Sequence, residues 1–516
     1  MTRPPAVTST PRESVPGIPR NRRPAFRDFR WPAAVAAGYT LVQLALFLPG
    51  TALGWDETVY VSQVGRGAEA AFFSAPRARG ITLLVAPVTL LTSSVDVLRA
   101  FLALLSGAGL FLALWAWRTL LPERVLALAG GLFAGLWITL FYGPQVMPNL
   151  WVALGSLFAV GCFLRAARDG SDRGALVGAG AGVAFAALMR PSDAFWLVAP
   201  LAVAALAVTS WRRPSLLLVL VAGTAAGCAP WIVEAHLAHG GPIERLRRAG
   251  EIQGGLGWQL AFGDQMRALA GRSLCRPCDV PWKQPVTAVW WFLLPVLVAG
   301  GVLTAVRGRQ ASTVVVPTLA GLFLAAPYLL LIGYAAPRFL LPAYALLAVP
   351  TAVCLTRIVS AARPRVPAAA VLALLIAGHL AVQYGIVHAK VRDSRADRRA
   401  LDRIAAALHR QGVRPPCVIT GREAPRIAYW TGCASRQVGG HDGSITAAGL
   451  AALARDRPVA LVAAGDTAPP VYARGWRTAR LPALQGRRDL RVHLAPLARP
   501  SSGARTVRPP TASPAA

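Results

Sequence analysis

The chain has 516 residues, of which 55% are hydrophobic and only 15% are charged, and its mean hydropathy is +0.48. Soluble domains carry about 25% charged residues, so this composition excludes an ordinary soluble protein and predicts a polytopic membrane protein. The net charge of +31 would suggest nucleic acid in a soluble protein, but here the basic residues lie mostly between apolar runs and in the two tails. Arginine in such places contacts anionic lipid headgroups, so we expect a lipid bilayer as a partner and no nucleic acid.

The apolar runs predict the membrane-spanning helices. A Pro- and Arg-rich segment, 1–30, comes first and is predicted to be a disordered, cytoplasmic tail. About eleven runs that approach the roughly 20 residues needed to cross a bilayer follow it. They lie near 33–49, 97–117, 124–142, 149–165, 174–189, 193–210, 215–237, 286–306, 313–334, 338–358 and 367–388. The sequence therefore predicts an all-α polytopic membrane region over 31–389, with about 11 transmembrane helices.

The run 81–92 is short and contains Pro87. If it does not cross, every Arg-rich short loop falls on one side of the membrane, which the positive-inside rule identifies as the cytoplasm. We therefore interpret 81–92 as interfacial or re-entrant. The N-terminus is then cytoplasmic, and the loops 50–96 and 238–285 lie on the outer face.

The cysteines agree with this topology. Four of them, Cys275, Cys278, Cys417 and Cys433, fall on the predicted outer face, where disulfides persist. The pattern "CRPC" resembles a redox or zinc motif, but we interpret it as a local disulfide. Cys417 with Cys433 is a plausible second bridge.

The character of the sequence changes after the last apolar run. Between 390 and 498, helical periodicity alternates with short buried runs such as "PCVITG" and "PVALVAAG", which predict strands. We expect a small extracytoplasmic α/β domain there. A Pro/Ser-rich tail, 499–516, is predicted to be disordered.

The stretch "GWDETVY" places two acids, Asp56 and Glu57, at the start of the 50–96 loop, where an apolar run ends. Arg66, Arg77 and Arg79 follow in the same loop. A carboxylate can remove the proton of a hydroxyl nucleophile, and arginine can bind a phosphate through two hydrogen bonds and stabilise its charge as it leaves. An acid pair that only caps a short helix is the alternative.

The motif "GWDETVY" resembles the Asp-Glu motif in the first outer loop of the C-type glycosyltransferases that use lipid-linked sugars. These include the protein O-mannosyltransferases and the bacterial lipid A aminoarabinose transferases. The similarity extends through "DVLRAFLALLSG", "MPNLWVALGSLFAVGCFLRA" and "APRFLLPAYALLAVP", and it covers roughly residues 33 to 350.

The resemblance implies a donor sugar on a polyprenyl phosphate and an inverting single displacement. It implies that Asp56 is the general base, and we expect Glu57 to be a supporting acid. Arginines near the membrane would hold the phosphate, and Arg338 in "APRFLLP" matches such a residue. Arg190, in "MRPSD", would line the same cavity or simply end two spans.

Asn149 is a departure from this pattern. Many members of the family have an acid in the second outer loop, where this chain has "MPN". Asn cannot act as a base or as a strong metal ligand, so no metal site is predicted and no cofactor is required, although a divalent metal stays possible. We include Asn149 among the candidate substrate-binding residues.

These observations predict a multi-pass glycosyltransferase of the cell membrane. It would move a hexose or pentose from the lipid-linked donor to a hydroxyl of a glycan, lipid or protein acceptor. A transporter or lipid flippase for envelope glycan precursors is the alternative, but it needs polar groups near mid-membrane, and the predicted spans have almost none. A third possibility is a non-catalytic scaffold that presents the outer domain.

Overall fold

Helices make up most of the structure, a computed structural model that describes residues 29–496 except 256, 277, 280, 283, 309, 466 and 485–488. The predicted C-terminal tail, and the predicted N-terminal tail apart from residues 29 and 30, lie outside the described residues. The described part contains eighteen α-helices. They are α1 Arg30–Phe47, α2 Trp55–Ser62, α3 Gly80–Thr89, α4 Val95–Trp115, α5 Glu123–Ala134, α6 Trp137–Tyr142, α7 Pro148–Arg168, α8 Arg173–Met189, α9 Pro191–Ala207, α10 Pro214–Ala238, α11 Pro242–Ile252, α12 Phe262–Ala268, α13 Val289–Arg307, α14 Ala311–Leu330, α15 Leu341–Ala361, α16 Arg365–Arg410, α17 Ala424–Thr431 and α18 Ala447–Asp456.

Within the described residues, seven helices are long and apolar enough to cross a membrane. They are α4, α7, α10, α13, α14, α15 and α16, where α13 and α15 each continue a short 3-10 helix. The other predicted spans correspond to α1, α5, α8 and α9, which have 18, 12, 17 and 17 residues. The fold is therefore that of a multi-pass membrane protein, and the count of eleven spans stays a prediction.

The short run 81–92 forms α3, which has 10 residues. At 1.5 Å per residue this helix is about 15 Å long, half of the roughly 30 Å of bilayer hydrocarbon. Its length fits the interfacial or re-entrant segment that the charge distribution predicts.

The predicted span 124–142 is broken into α5 and α6. The break lies at Gly135, where a Cβ atom would come within 2.3 Å of the Leu380 side chain of α16. Beyond it, the Trp137 backbone N–H donates to the Gln383 side chain, also on α16, at 2.9 Å. Because a freed backbone group in a membrane must find a partner within the protein, the helix can stop there only where α16 supplies one.

Helix α7 and helix α15 lie at the centre of the bundle and are almost wholly buried. Helix α16 lies at its edge, where Leu374 and Leu375 are exposed, as expected of lipid-facing side chains. The "GAGAG" run of α8 packs against its neighbours, since a Cβ at Gly223 of α10 would lie 2.5 Å from the Gly180 carbonyl oxygen. These glycines therefore let helices approach closely.

The C-terminal part contains one five-stranded sheet in the order β2-β1-β3-β5-β4. The strands are β1 Val418–Gly421, β2 Ala434–Ser435, β3 Val459–Ala464, β4 Arg477–Leu481 and β5 Leu490–Leu494. Strands β2, β1 and β3 are parallel, and β5 is antiparallel to β3 and β4. The predicted bridges Cys275–Cys278 and Cys417–Cys433 are both present.

Helix α16 connects the two parts of the molecule without interruption. It runs for 46 residues, from its apolar half to its contact with α17, and it continues through residue 390, where the sequence predicted the outer domain to begin. The bundle and the C-terminal part are thus joined by one continuous helix.

Candidate active site

The acid pair lies in the first turn of α2, and Gly54 is the residue that precedes this helix. Glu57 occupies the third helical position, where its Oε2 accepts a hydrogen bond from the Gly54 backbone N–H at 2.7 Å. This contact fixes the start of the helix, as in a capping box. Consecutive helical residues point about 100° apart, so Asp56 and Glu57 face different surroundings.

Glu57 faces the interior and is fully bonded. Its side chain is 3% exposed and accepts from Arg99 of α4 at 2.5 and 2.9 Å, and from the Val146 backbone N–H at 2.8 Å. Arg99 also donates to the backbone oxygens of Ala52 and Pro144, each at 2.7 Å. The pair therefore holds three segments together: the start of the 50–96 loop, α4, and the loop before α7.

Asp56 faces an open space instead. Its side chain is 35% exposed and accepts from Arg77 at 2.7 Å and from Arg338 at 3.3 Å. Burial opposes ionisation of this carboxyl, but the charges of Arg77, Arg338 and Arg190, with the hydrogen bond from Arg77, outweigh it and hold the pKa of Asp56 below its usual value. Asp56 is therefore a carboxylate at neutral pH and is able to accept a proton.

The space beside Asp56 is a cavity of about 390 Å³, here called the carboxylate cavity. Its walls come from the 50–96 loop, α6, the 238–285 loop, α16 and the C-terminal part. The charged residues that line it, besides Glu57 beneath its floor, are Asp56, Arg338, Lys390, Asp393, Asp397, Glu423 and Arg426. Its volume is in the range of small-molecule sites.

Arg77 is held in place by a residue that the sequence did not single out. Arg245 of α11 is fully buried and donates to the backbone oxygens of Ala75 at 3.1 Å, Arg77 at 2.9 Å and Trp231 at 2.8 Å. Its guanidinium also stacks 4.5 Å from the Trp231 ring centroid. The 238–285 loop thereby fixes the backbone that carries the guanidinium paired with Asp56.

The other candidate residues of the 50–96 loop have different surroundings. Arg79 pairs with Glu234 at 2.7 Å and donates to Gln63 at 2.9 Å, and Glu234 also pairs with Arg245. Arg66 is exposed on the surface and does not line the carboxylate cavity. Of the three arginines in this loop, Arg77 is the one in contact with Asp56.

Neither Arg190, between α8 and α9, nor Asn149 lines the carboxylate cavity. Arg190 donates to Asp193 and to the Tyr328 hydroxyl, each at 2.9 Å, and its charge reaches Asp56. Asn149 is fully buried in the first turn of α7, and neither its side-chain oxygen nor its nitrogen has a hydrogen-bond partner among the described residues. Both positions stay predictions as substrate-binding residues.

The described residues contain no group of three or more His, Cys, Asp or Glu side chains that could hold a metal ion. Asp56 is paired with two guanidiniums, which compete with a cation for the same oxygens. The expectation that no metal is needed stays a prediction.

A second, apolar space lies along α16 from the carboxylate cavity. This apolar groove has a volume of about 620 Å³ and lies between α5, α13, α15 and α16. Tyr344 of α15 and Val382 of α16 line it. Arg338 of the carboxylate cavity lies six residues before Tyr344 in the sequence. On α16, Lys390 of the cavity lies eight residues after Val382 of the groove, so the two spaces are about 12 Å apart along this helix.

No protein-family model matches this sequence, and no curated protein matches it. Among solved structures, the chain is similar to ArnT from Cupriavidus metallidurans bound to undecaprenyl phosphate, with 13% identity and a TM-score of 0.65 over 90% of this chain and 98% of that one. The apo state of ArnT gives 14% identity and a TM-score of 0.63 over 91% and 98%. At these identities the likeness establishes the fold alone, which this chain shares with the two ArnT structures.

Proposed function

We propose that this protein is an integral membrane glycosyltransferase that moves a sugar from a polyprenyl phosphate to an acceptor hydroxyl, with Asp56 as the general base. The observation that carries the proposal is the position of Asp56. It is a carboxylate bound by two arginines and lines a cavity, and an apolar groove lies about 12 Å away along α16. The ArnT structure with the same fold is bound to undecaprenyl phosphate, a polyprenyl phosphate like the proposed leaving group.

The donor lipid would lie in the apolar groove. Leucines, Phe133 and Trp290 line it, and its polar lining is sparse, so it suits a long hydrocarbon chain. Such a chain entering from the bilayer would bring its phosphate to the end of the groove that faces Arg338 and Lys390.

Arg338 and Lys390 are the groups proposed to hold the phosphate. Arg338 donates to Asp56 and to the Ser273 carbonyl, but its buried Nε–H has no partner among the described residues. Lys390 lines the same cavity, 5.7 Å from the Phe141 ring centroid. A phosphate oxygen would satisfy the unpaired Nε–H, and both charges would stabilise the phosphate as it leaves.

The reaction would be a single displacement. The Asp56 carboxylate removes the proton of the acceptor hydroxyl as its oxygen bonds to the anomeric carbon. The bond between that carbon and the phosphate oxygen breaks, and the polyprenyl phosphate leaves with the electron pair. Because the leaving group is already an anion, the step needs no general acid.

Release of polyprenyl phosphate tests the proposal without knowledge of the sugar. The purified protein in lipid nanodiscs would be given a panel of synthetic polyprenyl-phosphate sugars with a membrane extract as acceptor, and the free lipid phosphate measured by mass spectrometry. We expect turnover of at least one donor and a loss of roughly 10²–10⁴-fold in Asp56→Asn. Asp456→Asn, at an exposed position of α18, is the matched control and should keep the wild-type rate.

Two outcomes would contradict the proposal. Turnover of no donor, or an unchanged rate in a folded Asp56→Asn protein, would favour the transporter or flippase alternative. Lys390→Ala adds a separate check: it should raise the KM for the donor and also lower kcat, because Lys390 is proposed both to hold the phosphate and to stabilise it as it leaves.

A further inference from the structure

Asp442 of the C-terminal part lies in the 436–446 loop, which connects β2 to α18. Two hydrogen bonds close this loop, from the Ser444 backbone N–H to the Gln437 carbonyl oxygen at 2.8 Å and from the Gln437 backbone N–H to the Ser444 hydroxyl at 3.0 Å. The Gln437 side chain also exchanges two hydrogen bonds with the Gly421 backbone of β1, at 2.8 and 3.2 Å. The loop that carries Asp442 is therefore tied to the sheet.

The 436–446 loop contacts the 50–96 loop, which carries the proposed base. Arg436 pairs with Glu69 at 3.1 Å. Asp442 and two residues that closely follow Glu69 line one small space. The C-terminal part therefore brings an additional carboxylate against the segment that contains the catalytic carboxylate and its arginines.

The Arg77 guanidinium faces two carboxylates, one at each of its terminal nitrogens. Its Nη2 donates to Asp56 at 2.7 Å, and its Nη1 lies 4.0 Å from Oδ1 of Asp442. Nη1 donates to the Ser74 hydroxyl at 3.1 Å, and its contact with Asp442 is too long for a hydrogen bond, so that contact is electrostatic. Asp442 does not line the carboxylate cavity, and it is placed to act on Asp56 without touching a ligand there.

The charges of Asp442 and Asp56 act on each other. Burial raises the pKa of Asp442, Arg77 opposes the rise, and the charge of Asp56 adds to it. Because a Coulomb interaction is the same for both partners, the Asp442 carboxylate also raises the pKa of Asp56 and offsets part of the lowering by the arginines. The other groups that act on these two carboxyls are His441, Tyr60, Tyr142, Arg190 and Arg338, with the charged residues of the carboxylate cavity.

We propose that Asp442 is a positioning residue for the base: it shares the Arg77 guanidinium with Asp56 and thereby limits how strongly Arg77 binds Asp56. The inference deepens the proposed function and rests on it, since it concerns the basicity of Asp56. A carboxylate that arginines bind too strongly is a weak base, and the negative charge of Asp442 weakens the hold of one of them. Through this loop, the C-terminal part takes part in setting the reactivity of a residue on α2.

A thiol in place of the base measures this effect without turnover. The full-length Asp56→Cys protein in nanodiscs would be alkylated over a range of pH, and the rate at this position followed by peptide mass spectrometry, because the thiolate is the reactive form. We expect Asp442→Asn to lower the pKa of this thiol by roughly 0.5, since the variant removes a negative charge beside Arg77. Asp442→Glu, which keeps the charge, and the exposed acid variant Asp456→Asn should leave the pKa of the thiol nearly unchanged.

Turnover gives a second readout. Asp442→Asn should lower kcat roughly twofold to threefold and leave the KM for the donor unchanged, because a base of lower pKa is weaker and Asp442 does not line the cavity. A thiol pKa that stays the same or rises in folded Asp442→Asn would refute the inference, and so would an equal loss of kcat in Asp442→Asn and Asp442→Glu. Failure of the proposed function would be seen elsewhere, as absent release of polyprenyl phosphate by the wild type, and the thiol titration would still decide whether Asp442 acts on this position.

Discussion

Replacing Glu57 by Gln should destabilise the protein far more than replacing its neighbour Asp56 by Asn. The Glu57 carboxylate receives two hydrogen bonds from Arg99 and one each from the Gly54 and Val146 backbone N–H groups. A Gln side chain keeps the shape but turns an N–H₂ group toward these donors. The change therefore removes the negative charge and also places an N–H₂ donor opposite N–H donors of Arg99 or the backbone.

The size of the effect follows from the burial of Arg99. Its side chain is 1% exposed, so the Gln variant leaves a guanidinium buried without its counter-charge. Breaking a buried ion pair from one side costs about 3–5 kcal/mol. The Asp56 carboxyl, by contrast, is partly open to the cavity, so Asp56→Asn leaves no fully buried charge behind.

A set of four proteins measures this difference. Thermal unfolding in detergent would compare wild type, Asp56→Asn, Glu57→Gln and the double variant Glu57→Gln/Arg99→Met. We expect Glu57→Gln to have the lowest midpoint and the double variant to recover part of the loss, because it removes both charges. A Glu57→Gln midpoint equal to that of wild type, or a double variant less stable than the single one, would refute the role assigned to this pair.

Three further predictions concern acidity, topology and metal. The pKa of Asp56 lies below its usual value of 3.8 because the charges of Arg77 and Arg338 outweigh burial, so turnover should fall only as the pH falls through that lowered pKa. In Arg77→Gln the pKa of Asp56 should rise, and the acid limb of the pH-rate profile should move to higher pH. An acid limb that does not move would refute the assignment of Asp56 as the base. Ser444 is exposed in the C-terminal part, and a cysteine there should react with an impermeant thiol reagent in intact cells; labelling only after lysis would reverse the predicted orientation. With Asn149 in place of an acid, activity should survive a chelator, and a loss restored by Mg²⁺ or Mn²⁺ would contradict this.

The positions of the helices could be predicted from the sequence because each depends on a local apolar run. The runs near 97–117 and 149–165 became α4 and α7 within a few residues of the predicted limits. The break between α5 and α6 could not be predicted, because it depends on Gln383, which is 246 residues from the Trp137 N–H that it accepts. The unbroken length of α16 was missed for a related reason, since its polar half is held by contacts with α17.

The candidate site was predicted in part. The motif and the apolar run before it located Asp56, and a family resemblance located Arg338; the two side chains are in contact across 282 residues of sequence. Arg99, Arg245, Lys390 and Arg426 were not predicted, because each acts through partners that are distant in the chain. A signal was present for Arg99, the single charged residue in the apolar run 97–117, since a charge there needs a buried partner.

The two adjacent acids therefore have different tasks, and helix geometry separates them. Glu57 turns inward to Arg99, and this pair joins the 50–96 loop to α4 and to the loop before α7. Asp56 turns about 100° away into the carboxylate cavity, where Arg77 and Arg338 keep it ionised. Arg77 is in turn fixed by Arg245, and Leu53, just ahead of α2, is bonded to Arg426. The proposed base is thus held from the bundle, from the 238–285 loop and from the C-terminal part, so a change in any one of them should alter catalysis through the position of Asp56.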